Sequence, residues 1–63
     1  MTPAAFRAWL AEMKSAGLAR SAAEAGRLLG KSDDQMTRYK RSGADRTIAL
    51  ACRALLHRLE PYA

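Results

Sequence analysis

Two helix starts of one design lie eleven residues apart in this chain. Ser21-Ala22-Ala23-Glu24 and Ser32-Asp33-Asp34-Gln35 each set a hydroxyl three positions ahead of a carboxylate or amide. In that pattern side-chain oxygens accept the backbone N–H groups that a helix start leaves without partners. Between them runs Leu28-Leu29-Gly30-Lys31, where Gly30 can leave a helix through a left-handed backbone that a Cβ resists. Gly43 closes the later helix about ten residues on. The stretch from Ser21 to Gly43 therefore predicts a helix, a tight turn and a second helix, in the proportions of a helix-turn-helix unit.

The flanking residues extend the same pattern. Thr2 ahead of Pro3 is a favoured start, with the hydroxyl capping and the proline ring at a position where no amide donor is missed. Phe6, Trp9, Leu10 and Met13 follow at i, i+3, i+4 and i+7 as one apolar stripe, which predicts a first helix over about 3–16 with Gly17 as its stop. The second helix spans about 22–29, with Ala22, Ala25, Gly26 and Leu29 facing inward. Gly26 inside it implies that the neighbouring helix passes close by. The third, about 33–42, has only Met36 and Tyr39 as large apolar anchors. The fourth, about 46–59, begins at Ala44 or Asp45, buries Ile48, Cys52, Leu55 and Leu59, and ends before Pro61. Leu50 falls on its opposite side, beside Arg53, Ala54 and His57. The expected fold is all-α, one domain over 1–63, a small bundle of four to five helices.

Length and charge bound what such a bundle can do. Sixty-three residues bury little surface, and with Cys52 as the one cysteine no internal disulfide braces them. The N-terminus lacks the basic flank and apolar run of a signal peptide, and no stretch is apolar for the length of a membrane span. The expectation is a cytoplasmic protein without membrane contact. Eleven Lys and Arg against six Asp and Glu give a formal charge of +5, which favours a polyanionic partner. Arg38, Lys40, Arg41 and Arg46 cluster around the third helix, whereas the acids are spread along the chain.

Enzyme chemistry finds no support. Cys52 and His57 are five residues apart on one helix and fall on different faces, and no catalytic or metal-ligating group is expected. A bundle this small leaves scant room for a small-molecule pocket, and no cofactor is expected.

The run Ala23-Glu24-Ala25-Gly26-Arg27-Leu28-Leu29-Gly30-Lys31-Ser32, with Met36, Tyr39 and Arg41-Ser42-Gly43, resembles the Cro/repressor-type helix-turn-helix regulators of bacteria and phages. These are also called XRE-like, and their fold lambda-repressor-like. The likeness continues more loosely through Arg46-Thr47-Ile48-Ala49-Leu50-Ala51. It implies a sequence-specific transcriptional regulator, a repressor, whose third helix enters the major groove of double-stranded DNA. Base contacts would fall to Asp33, Asp34, Gln35, Thr37 and Arg38, and phosphate contacts to Arg20, Ser21, Ser32, Lys40, Arg41 and Arg46. A homodimer on a palindrome is implied, with Leu50 and the segment through Leu59, Tyr62 and Ala63 as candidate contacts. Three features depart from the family: Asp33 and Asp34 stand where many relatives carry amides or basic groups, Ala22 stands where a glutamine is common, and the connection Gly17-Leu18-Ala19-Arg20 is about two residues longer than usual. The alternative reading is an adaptor that binds a protein on the same scaffold, favoured by the acidic pair Asp33 and Asp34.

Overall fold

The computed structural model describes residues 1–62. Four helices follow one another: α1 (Pro3–Ser15), α2 (Ala22–Leu29), α3 (Asp33–Ser42) and α4 (Arg46–Leu56). There is no strand among the described residues. Each helix opens on a side chain that accepts a backbone N–H three residues on. Thr2 takes that of Ala5, Ser21 that of Glu24, Ser32 that of Gln35 and Asp45 that of Ile48. These caps are local in sequence, so they fix the starts of all four helices independently of how the helices pack.

The helix ends share a device as well. After α1, α2 and α4 the chain makes paired bonds back into the last turn, such as Lys31 N–H to the Gly26 carbonyl at 2.8 Å and Leu59 N–H to the Ala54 carbonyl at 2.9 Å. Gly30 takes the left-handed conformation this requires, with φ +74°. At the end of α4 the same position is filled by Arg58, with φ +59°, the one non-glycine residue at positive φ among the described residues. That closure shortens α4. The helix expected to reach residue 59 ends at Leu56, no fifth helix follows it among the described residues, and Leu59 is exposed rather than part of the buried stripe. The apolar spacing ran on past a turn that no glycine announces.

The core is built from Phe6, Trp9 and Met13 of α1, Ala19 of the first connection, Ala25 of α2, Met36 of α3, and Ile48 and Cys52 of α4. Leu10, expected in the α1 stripe, is half-buried, as are Ala22 and Leu29 of α2. The Phe6 ring sits 5.5 Å from Trp9 and meets Tyr39 edge-on at 5.4 Å, so one aromatic cluster joins α1 to α3. The Trp9 indole N–H donates to the Cys52 carbonyl at 2.9 Å and ties α1 to α4 inside the core. The long connection is not slack, since Ala19 is buried and Leu18 packs beside it.

Gly26 is crowded, as its position implied, but not by the α3 backbone expected there. A Cβ there would stand 2.8 Å from Met36 Cγ and 3.1 Å from the Lys31 carbonyl oxygen. The close neighbours are thus the α3 anchor and the turn itself, rather than the α3 backbone. α1 packs against the other three helices, whereas α3 rests on α1 and α2 and does not meet α4. That leaves α3 on the outside of the bundle.

Candidate nucleic-acid interface

Helix geometry divides α3 into two arcs. At 3.6 residues per turn, Met36 and Tyr39 fall on one side with Gln35 and Lys40 at its margins, and Asp33, Asp34, Thr37, Arg38, Arg41 and Ser42 take the rest. Burial follows this division: Met36 is buried, Gln35, Tyr39 and Lys40 are half-buried, and the other six are exposed. Since the anchors are few, other groups help hold the helix down. Arg7 of α1 donates to the Lys40 carbonyl at 2.6 Å, which also sets a positive charge at the negative end of the α3 dipole.

The α3 start is a closed capping box. The Gln35 side-chain carbonyl accepts from Ser32 N–H at 2.9 Å while Ser32 Oγ accepts from Gln35 N–H at 3.3 Å. The Ser32 hydroxyl lies 3.3 Å from the same Gln35 oxygen, to which it donates. Ser32 and Gln35, expected at phosphate and base, are therefore engaged with each other, and the groups of Gln35 left over are its two amide N–H donors. Asp33 and Asp34 take no part in the box. Both are exposed at the positive end of α3, which favours their charge whether or not a ligand approaches.

The expected cations fall in three places. Arg38 and Arg41 are exposed on the outer arc of α3. Lys40 is half-buried in the cleft where α3 meets the start of α2, beside Ala22, Ala23, Asp33 and Thr37. Arg46 lies instead on the wall of a groove between α1 and α4, with Leu50 and Arg53. Arg20 lies beside Glu24, with Nε 3.5 Å from the carboxylate, and that carboxylate also accepts the Arg20 backbone N–H at 3.3 Å. This is the one ion pair among the described residues, so Arg38, Lys40, Arg41 and Arg46 pair with no acid there. Ser21 caps α2 through its Oγ and keeps its hydroxyl proton free to donate.

The structure thus brings Asp33, Asp34, Thr37, Arg38 and Arg41 onto one outward arc, with Lys40 at its edge, and leaves Arg46 and Arg20 outside it. Comparison with protein-family models, curated proteins and solved structures finds no match for this chain. The arc therefore stands on its own chemistry: two carboxylate acceptors at the front, a hydroxyl between, and two guanidiniums at the rear.

Sequence reasoning missed three fixing contacts. Besides Arg7 and Trp9, the N-terminus clasps the α3–α4 loop. The Met1 ammonium donates to the Ala44 carbonyl at 2.9 Å, and Ala44 N–H donates to the Met1 carbonyl at 3.0 Å. All three link residues more than thirty positions apart, and no local pattern marks them. Cys52 is buried in the core, as its spacing implied, and that burial pushes its thiol up to about 11 from an ordinary 9.0. No cluster of three or more His, Cys, Asp or Glu gathers as a metal site, and no helix is long and apolar enough to cross a membrane, among the described residues.

Proposed function

We propose that α2, the Gly30 turn and α3 form a helix-turn-helix unit of the Cro/repressor type. In this reading the protein is a sequence-specific DNA-binding regulator, a repressor, acting as a homodimer. α3 is its reading element. The observation that carries the proposal is the outer arc of α3, where Arg38 and Arg41 face solvent without an acidic partner on a helix tied down by Met36 and Tyr39. A helix with side chains is about 10–12 Å across, close to the width of the B-DNA major groove at about 12 Å. The outward position of α3, clear of α4, leaves nothing of the chain's fourth helix across that face.

The roles follow from chemistry. Arg38 can donate two bonds to guanine O6 and N7, a bidentate contact that discriminates against other bases by about 1–3 kcal/mol. Asp33 and Asp34 carry acceptors only, so they suit a cytosine amino group and repel phosphates. Thr37 reads either kind of edge or meets a thymine methyl. Arg41 on the arc and Lys40 at its edge, with Arg46, Arg20 and the Ser21 hydroxyl, supply phosphate contacts; Ser32, whose N–H and hydroxyl both donate to Gln35, does not. One copy covers about a half-site, so a dimer would place two such helices about 34–36 Å apart on a palindrome.

The test is titration of a random-sequence duplex and a selected duplex at two salt concentrations. Four phosphate-binding cations per copy require log K to fall with log salt at a slope of about −3 to −4. No duplex affinity at low salt would overturn this reading and favour the alternative, a protein-binding adaptor that uses the exposed, unpaired Asp33 and Asp34.

A further inference from the structure

Two apolar surfaces of the bundle lack a partner, and their charges differ. The first is the α1–α4 groove, where Leu50 is 60% exposed. Its walls carry Arg46, Arg53 and His57 against a single acid, Glu12. Two copies meeting there would bring together two faces with an excess of positive charge, which disfavours self-association. The second lies at the far end of the bundle, where the α4 terminus folds back toward the α1–α2 connection and the end of α2. There Leu18, Leu28, Leu55, Leu59 and Pro61 border one hollow, with Leu28 and Leu59 exposed by 49% and 61%. Leu59 and Pro61 reach it because Arg58 turns the chain through a left-handed conformation. The charged residues on its rim are Arg58 and Glu60, one on each side of Leu59, and neither forms an ion pair among the described residues.

That order of residues is self-complementary. A two-fold axis at Leu59 runs segment 58–60 antiparallel to its copy, so that Arg58 faces Glu60 of the second copy and Glu60 faces its Arg58. The same operation gathers the exposed Leu28 and Leu59 of both copies into one apolar patch around the axis and removes them from water. We infer that the Leu28–Leu59 face is where a second copy of this chain docks, with reciprocal Arg58–Glu60 pairs setting the register. Leu50 lies outside the interface. This inference does not rest on DNA binding, and it separates Leu50 from Leu59, which the sequence left as equivalent dimer candidates.

Sedimentation equilibrium of the chain without DNA, up to about 1 mM, tests it. The expected result is a monomer–dimer equilibrium. Leu59→Asp abolishes it, and Leu50→Asp leaves it unchanged. Arg58→Glu alone and Glu60→Arg alone each weaken association by about tenfold or more, because each opposes like charges twice across the axis. The double change Arg58→Glu/Glu60→Arg restores it. So does mixing the two single variants, which then form a heterodimer. Circular dichroism melting of every variant separates loss of association from loss of fold, since Leu59, Arg58 and Glu60 are all exposed. A chain that stays monomeric throughout, single reversals that leave the association constant unchanged, or a dimer dissolved by Leu50→Asp would each overturn the assignment.

Discussion

α1 and α3 are neighbours of comparable length with opposite uses of their surface. α1 buries Phe6, Trp9 and Met13, more of the core than any other helix, and packs against all three others, as α2 also does. α3 buries Met36 alone and is held by Tyr39 against Phe6, by its capping box and by an arginine donated from α1. So small a chain can free one helix only by anchoring the others. The core draws most on α1, with α2 and α4 completing it, and α3 keeps six of its ten side chains exposed. Changes in α1 should therefore act on folding, and changes on the outer arc of α3 on binding alone.

The largest effect expected is at Phe6, which is fully buried between Trp9 and Tyr39. Phe6→Ala should cost about 3–5 kcal/mol, enough to abolish the cooperative thermal transition of a bundle this size. A transition that survives with only a small shift would mean that α1 is not the hub.

The second effect belongs to the same buried side. Because the Cys52 thiol is harder to ionise in the folded chain than unfolded, the protein should lose stability as pH rises from about 9 to about 11. Below pH 9 the thiol is protonated in both states and its contribution is constant. The loss is on the order of 2 kcal/mol, read by urea titration against Cys52→Ala across that range. A thiol that reacts with iodoacetamide in the native state at pH 8 would contradict it.

Ser32→Ala tests the border between the two regimes. It opens the capping box and should lower stability by about 1 kcal/mol while weakening duplex binding, since the start of α3 frays. The smallest effect on folding is expected for Arg38→Ala, within about 0.5 kcal/mol of the parent. Its consequence should appear instead in selected binding sequences, as lost preference at one base pair. If Arg38→Ala destabilised the fold as much as Ser32→Ala, the outer arc would be structural and the contrast with α1 would fail.

Much of the fold was legible because its signals are short in range. The N-caps Thr2, Ser21 and Ser32, Gly30 as the left-handed exit of α2 and the Phe6–Trp9–Met13 stripe each depend on residues within a turn or two of one another. The exposed arc of α3 followed from its sparse apolar spacing. Less of the candidate site could be read that way. Gln35 looked free to contact a base but closes the capping box, Lys40 sits in a cleft, and Arg46 belongs to the α1–α4 groove. Where a polar side chain ends up depends on what stands beside it in space, which spacing along one helix does not encode.

The end of α4 shows the same limit most clearly. By itself the sequence determined where helices begin, which faces turn inward, and that the third helix would be the least anchored. Those properties arise from hydrogen bonds and hydrophobic periods confined to one or two turns. Only the tertiary structure decided that the chain turns at Arg58, that Leu59 comes to lie with Leu28 rather than Leu50, and that Arg7, Trp9 and Met1 fasten distant segments. These contacts join residues far apart in the chain, and their partners exist only once the helices have met.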